Sequence, residues 1–146
     1  MSVRDFVTLR IGGQLWGVEA VTVHDVFRPH GITPVPLAEP EIAGVLNLRR
    51  RIVTAICGRS LLGLEPAAGE GDPIAIGLEI NGDKYGLIVD GVEEPLEIET
   101  DDLLPAPSGL PPRWAAIVDG VHRLDGELLV ILNTRRLLDG AHPAAA

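Results

Sequence analysis

His24-Asp25 is the pair that comes closest to half of a general-base device, since an imidazole oriented by a carboxylate can move a proton. Adjacency defeats it. Neighbours on a strand point to opposite faces, and on a helix they diverge by about 100°, so neither element aims both groups at one substrate. Cys57 is the single cysteine, which excludes an intrachain disulfide. It carries no signature of an activated thiol and sits in an apolar run, so it reads as a buried structural cysteine. His24, His30, His122 and His142 are scattered without the spacing that metal ligation requires. Glu97, Glu99, Asp101 and Asp102 form an acidic cluster that could hold a cation weakly, but a solvated face accounts for them better. Gly69-x-Gly71 lacks the lysine and the strand-to-helix context of a phosphate loop, and there is no Gly-x-Ser-x-Gly elbow. The chain does not read as an enzyme, and no catalytic residue, metal or cofactor is expected.

What stands out is a run of arginines inside the apolar stretch 41–64, EIAGVLNLRRRIVTAICGRSLLGL. A buried strand cannot easily carry Arg49, Arg50 and Arg51 in succession. Either the chain turns there, or some of the guanidinium groups reach an exposed face that meets a partner. For Arg49, a plain surface or internally ion-paired place and a partner-binding role are equally open, since arginine at the end of an apolar strand is a type enriched at protein interfaces. Val23 and Asp25 would share one side if their segment is extended, with the core as the competing place for Val23.

The elements that must position these groups are short. The chain has 146 residues, with 17 glycines and 12 prolines, 46% hydrophobic and only 3% aromatic residues. That composition predicts a mainly β protein with a core of Val, Ile, Leu and Ala and frequent turns. A net charge of −9 disfavours a broad nucleic-acid-binding face. Eleven of the twelve basic residues are arginine, which suits fixed planar contacts, although arginine-rich codon usage explains this more simply. No apolar run approaches the ~20 residues that span a bilayer. The N-terminus has no signal-like segment, so a soluble, cytoplasmic protein is expected.

In chain order, residues 6–11 and 14–18 flank Gly12-Gly13 as a hairpin. The valines of 18–26 fit a short helix or an extended edge, with a helical turn ending before Pro29 slightly preferred. Among Pro29, Pro34, Pro36 and Pro40 only a short strand at 32–35 fits. A turn at 40–43, strands at 45–48 and 52–56, and a short helix at 60–64 closed by Gly63 follow. Residues 65–73 read as a linker. Residues 74–80 and 85–89 flank Asn81-Gly82-Asp83, a hairpin signature, and Asp90-Gly91 turns into a strand over 92–98. A proline-rich loop leads to strands at 115–121 and 128–132 around Asp125-Gly126. Asn133 is placed to cap a helix over 134–139, and the tail after Gly140 reads as frayed. Nine or ten strands with turns every 8–12 residues point to barrels or a sandwich. The strand–turn–strand units at either side of the linker echo one another, which suggests two related lobes.

Taken together, these pieces resemble the CheW-like family, the coupling proteins of bacterial chemotaxis. The resemblance runs through Phe6-Val7-Thr8-Leu9 and Trp16-Gly17-Val18, then Val23-x-Asp25-Val26. It continues through Pro34-x-Pro36 and Gly44-Val45-Leu46-Asn47-Leu48-Arg49, which is similar to the family's G-V-x-N-L-R-G. Gly86-Leu87-Ile88-Val89-Asp90-Gly91-Val92, Leu104-Pro105-Ala106-Pro107 and Ile131-Leu132-Asn133 with Leu137-Leu138 complete it. The resemblance implies a single domain over 1–146, built as two small SH3-like five-stranded barrel lobes, about 14–70 and 71–140, around a shared core, with the first strand shared and a few short helices. It implies an adaptor without catalysis that links chemoreceptor cytoplasmic tips to the regulatory domain of a histidine kinase. Contacts are expected at Val23, Asp25, Val45, Asn47, Arg49, Arg50 and Arg51. Two departures stand out. Arg50 replaces a glycine that would tolerate positive φ. Cys57 replaces an aspartate placed to cap the next helix, a loss of about 1 kcal/mol. These departures leave open a divergent scaffold in another two-component pathway, and a small-ligand-sensing module is a third reading.

Overall fold

A computed structural model describes residues 2–37, 42–64, 74–80 and 82–141. Ten strands run through the described residues: β1 (Val3–Ile11), β2 (Gln14–Glu19), β3 (Val23–Phe27), β4 (Ile42–Leu48), β5 (Arg51–Cys57), β6 (Ile74–Ile80), β7 (Asp83–Val89), β8 (Gly91–Glu99), β9 (Val118–Leu124) and β10 (Glu127–Leu132). Three short helices join them: α1 (Gly58–Leu61), α2 (Pro112–Ala115) and α3 (Thr134–Ala141). The protein is mainly β, as its turn-rich composition predicts.

The strands form two five-stranded sheets, ordered β8-β1-β2-β10-β9 and β3-β6-β7-β5-β4. Both use the same succession of pairings. A hairpin, β1-β2 or β6-β7, lies beside an antiparallel edge strand on one side. On the other side it pairs in parallel with a strand of a second hairpin, β10-β9 or β5-β4. The echo in the sequence is therefore a repeated topology, and Trp16-Gly17-Val18 on β2 holds the place of Tyr85-Gly86-Leu87 on β7. A division at 14–70 and 71–140 does not follow the sheets. β3 to β7 make one sheet without interruption, and the other joins β1 and β2 to β8, β9 and β10. Neither sheet closes into a full barrel. In each, one bridge spans the gap: Leu104, beyond β8, meets Val121 on β9, and Thr33, beyond β3, meets Val45 on β4.

The largest core lies between the sheets and draws on both, with Leu9, Trp16, Ile56, Ile76, Leu87 and Leu137 all fully buried or nearly so. Each sheet also wraps its own smaller core, Phe6, Leu15, Ile98, Leu129 and Ile131 in one, and Leu46, Val53 and Ala55 in the other. β10 shows what this does to sequence. Leu129 and Ile131 face one core while Val130 and Leu132 face another, so its residues run apolar without alternation. Trp16 and Trp114 pack at 5.0 Å between ring centroids in the shared core.

Several expectations are corrected. Of the helical turn expected over 18–26, Val18 and Glu19 end β2, Ala20–Thr22 make a single 3-10 turn, and the rest is the edge strand β3; pairing with β6 suits its β-branched valines better than a helix does. Residues 32–35 make one bridge and no strand, because Pro34 and Pro36 have no N–H to donate. Ile42 and Ala43 belong to β4 and not to a turn. α1 runs over Gly58–Leu61, starting two residues and ending three residues earlier than expected, and Gly63, φ 77°, lies just beyond its C-cap. The strand expected from 115 starts at Val118, since Pro112 initiates α2. Cys57 is half-buried rather than buried. Asn133 caps α3 as expected, its Oδ1 accepting from the Arg136 N–H at 3.1 Å. The turn residues Pro40 and Glu41, the linker 65–73, Asn81, His142 and the tail beyond it lie outside the described residues.

Candidate functional site

The three arginines divide at a tight turn. Leu48 pairs with Arg51, leaving Arg49 and Arg50 as a two-residue hairpin loop, and both have positive φ, 50° and 68°. That geometry matches the twist of the flanking strands, and it is usually made by Asn-Gly. In arginine, the left-handed conformation costs roughly 1–2 kcal/mol per residue. The pairing of β4 with β5 over six residue positions holds the loop in place. Backbone strain of this kind gathers at functional sites.

The curl of the second sheet brings this loop to the opposite edge. Arg49 Nη1 lies 3.5 Å from Asp25 Oδ2 on β3, with the arginine side chain 79% exposed. Asp25 comes in so close because its neighbour strand carries Gly77, where a Cβ would stand 2.2 Å from Asp25 Oδ1. Beneath the pair is a cleft of about 120 Å³, whose mouth carries Arg49, Arg51 and Lys84 and whose floor includes Phe27, Leu78 and Tyr85. His24 and Lys84 approach Glu79 at 3.7 and 3.9 Å. His24 is thus turned to Glu79 and not to Asp25 as a catalytic pair. Burial pushes the Tyr85 hydroxyl above its ordinary pKa, and the charge of Asp83 adds to this.

The seven expected contact residues do not form one patch. Asp25, Arg49 and Arg51 meet at the cleft mouth. Val45 and Asn47 alternate onto the other face of the β4–β5 hairpin, opposite Thr54 and Ile52. Arg50 stands exposed at the turn between the two faces. Val23 is half-buried and packs against the shared core. Two residues went unmarked in the sequence. Ile52 is 68% exposed beside Asn47, and its place in an apolar run hid it, since only the register fixes which way it points. Lys84 sits at the start of β7 and lines the cleft because β7 pairs with β5, a long-range pairing that the local sequence does not reveal.

Elsewhere, Asp90 receives a bidentate pair from Arg59, at 2.8 Å to each oxygen, and the Gly12 N–H at 2.8 Å. The Arg59 guanidinium holds the Asp90 carboxyl below its usual range, with Gly12 contributing. Arg10 bridges Glu93 and Glu127 at 2.6 and 3.0 Å. Among the described residues, no group of three or more His, Cys, Asp or Glu is placed to hold a metal ion, and no helix is long and apolar enough to cross a membrane.

Two linked SH3-like sheets, with a strained, charged hairpin displayed on one of them, define the class as a mainly β module of two five-stranded sheets. The chain belongs to the CheW-like domain family, whose model matches residues 5–142. It is 25% identical to a chemotaxis protein CheW of Treponema pallidum (strain Nichols), over 94% of this chain and 85% of that one. It is 24% identical to one of Rhizobium meliloti (strain 1021), over 97% and 88%. The fold is similar to the crystal structure of the scaffolding protein TtCheW from Thermoanaerobacter tengcongensis, with a TM-score of 0.79 at 28% identity, covering 90% of this chain and 89% of that one.

Proposed function

We propose that this protein is a non-enzymatic adaptor of a chemotaxis-type pathway, which couples the cytoplasmic tip of a chemoreceptor to the regulatory domain of a histidine kinase. It works in the cytoplasm and joins receptor arrays through its partners. The observation that carries this reading is the β4–β5 hairpin. One face offers Val45, Asn47 and the exposed Ile52, and the other offers Arg49 and Arg51 beside Asp25. Two differently composed faces on one rigid element suit a protein whose work is to hold two partners at once. Relatives named for chemotaxis and scaffolding support it. A pull-down of the full chain with the host's kinase regulatory domain and receptor tip tests the reading. Binding to both is expected, and binding to neither at high micromolar concentration would overturn it.

One observation favours a second reading, a divergent scaffold serving another two-component pathway. Arg50 occupies a left-handed position where the family pattern has glycine, so the turn displays a bulky cation in place of bare backbone. A screen against all the host's kinases and receptor tips separates the two readings by which pair is captured. A small-ligand module is the third reading: the hairpin cleft, at about 120 Å³, is well under the roughly 300–1,000 Å³ of ordinary ligand pockets, whereas an open hollow of about 480 Å³ beside Thr8, Leu15, Leu96 and Leu124 falls within that range.

A further inference from the structure

The inner face of the first sheet is only partly filled. Along β1, Phe6, Thr8 and Arg10 alternate onto that face. Phe6 is fully buried in the sheet's own core, Thr8 is buried above it, and Arg10 reaches out to Glu93 and Glu127. Beside Thr8 the face opens into a hollow of about 480 Å³, and the leucines that floor it, Leu15, Leu96 and Leu124, belong to or pack against the same small core. The rim is acidic, carrying Glu93, Glu94 and Glu127. Consecutive strand residues ordinarily face opposite ways, and a β-bulge explains why Glu93 and Glu94 share one hollow. Phe6 pairs with Leu96 and Thr8 with Glu93, so Glu94 and Pro95 stand together against Val7. The Thr8 hydroxyl ties the bulge down by donating to the Glu94 carbonyl oxygen at 2.6 Å. Arg10 is shared between Glu93 and Glu127, whereas Glu94 makes no ion pair among the described residues.

We infer that this hollow is a binding site for a small organic cation, a primary amine carried on a short apolar body. Its size lies in the range of ligand pockets, and the mouth of a barrel-like sheet is a place where such pockets occur. The leucine floor takes the apolar body, because burying it removes hydrocarbon surface from water. The rim selects the sign of the polar end: three carboxylates stand against the one guanidinium of Arg10. An ammonium N–H can donate to the Glu94 carboxylate without breaking the bonds that Arg10 makes, and a charge-assisted bond of this kind is stronger than a neutral one. A carboxylate ligand would meet repulsion from the rim and from a chain of net charge −9. The carboxylates are spread around the hollow, and among the described residues none are grouped to hold a metal ion, so a compact inorganic cation does not fit. The inference rests on the small-ligand reading and gives it a chemistry. It is independent of the adaptor reading, since the hollow lies on the sheet that does not carry the β4–β5 hairpin.

The test is a ¹⁵N NMR titration of the full chain with hexylammonium chloride, 1-hexanol, sodium hexanoate and ammonium chloride. Hexylammonium is expected to give saturable shifts at the amides of Thr8, Leu15, Glu94, Leu96 and Leu124. Hexanol, which keeps the body and loses the charge, should bind at least about fivefold more weakly. Hexanoate and ammonium should give no saturable shifts there. Glu94→Gln removes an exposed carboxylate that holds no ion pair, so it should leave the rest of the spectrum unchanged and weaken hexylammonium about threefold. Equal binding of hexanol, tighter binding of hexanoate, or indifference to Glu94→Gln in the folded variant would overturn the amine assignment while leaving a small-ligand hollow. Equal shifts with ammonium would reduce the site to a bare cation contact and overturn it too. No saturable shift with any of the four would overturn both the inference and the small-ligand reading.

Discussion

Arg50 shows how far a single residue can be read from sequence. Its conflict with a turn that prefers glycine was legible, because three adjacent arginines cannot continue a buried strand. The chain resolves the conflict by accepting the left-handed conformation at both Arg49 and Arg50. Arg50→Gly should therefore stabilise the fold by about 1 kcal/mol, the relief of strain being partly offset by the greater freedom of glycine in the unfolded chain. Denaturant unfolding measures this, and an unchanged midpoint would mean that the loop is not strained at Arg50. Cys57 is the other departure. It stands at the N-cap of α1 with φ −81° and ψ 111°, and no side-chain hydrogen bond caps the helix. Cys57→Asp should restore a cap and add about 1 kcal/mol, read in the same assay. By contrast, the ion pair of Asp25 with Arg49 could not be seen in advance, since the residues are 24 positions apart and belong to strands at opposite edges of the sheet order.

At the scale of elements, the hairpins were the readable part. Gly12-Gly13 and Asp125-Gly126 each turn where the glycine signal places them. Edge segments were misread. β3 has the half-buried, half-exposed pattern of a strand that pairs on one side only, and four valines spaced through 18–26 cannot distinguish that from a helical turn. The barrel-like curl was hidden for another reason, because it depends on one close approach. Gly44 sits at φ 149°, and a Cβ there would come within 2.3 Å of the Thr33 carbonyl oxygen. That glycine lets the segment after β3 bridge to β4, with Thr33 and Val45 exchanging hydrogen bonds of 2.8 and 2.9 Å. Gly44→Ala should cost at least about 2 kcal/mol. It should also speed amide exchange at Thr33 and Val45, and retained protection there would show that the bridge does not need the glycine.

For the whole molecule, the two sheets are one unit because of their shared core, and Asp90 clasps them at its edge. It lies between β7 and β8 and is held by Arg59 from α1 and by the N–H of Gly12 from the β1–β2 turn. Since its carboxyl is held below the usual range in the folded state, the clasp is fully stabilising above about pH 4 and is lost as pH falls through the lowered value. Asp90→Asn should therefore be less stable than wild type near neutrality, and the gap should close in acid. A gap independent of pH would assign the effect to packing. Turn spacing revealed the strand count and the family resemblance implied the shared core, but neither gave the sharing of strands, because β8 to β10 return to the sheet that β1 and β2 begin, and this depends on long-range pairing. If this surface holds signalling partners, Arg49 is the residue whose loss should be felt. Calorimetric titration of wild type and Arg49→Ala against the kinase regulatory domain and the receptor tip is the decisive measurement, with thermal stability followed in parallel. Wild type is expected to bind both, and Arg49→Ala, equally stable, to lose affinity for one. Unchanged affinity for both would remove Arg49 from the site, and failure of wild type to bind either partner would mean that the protein is not an adaptor between them.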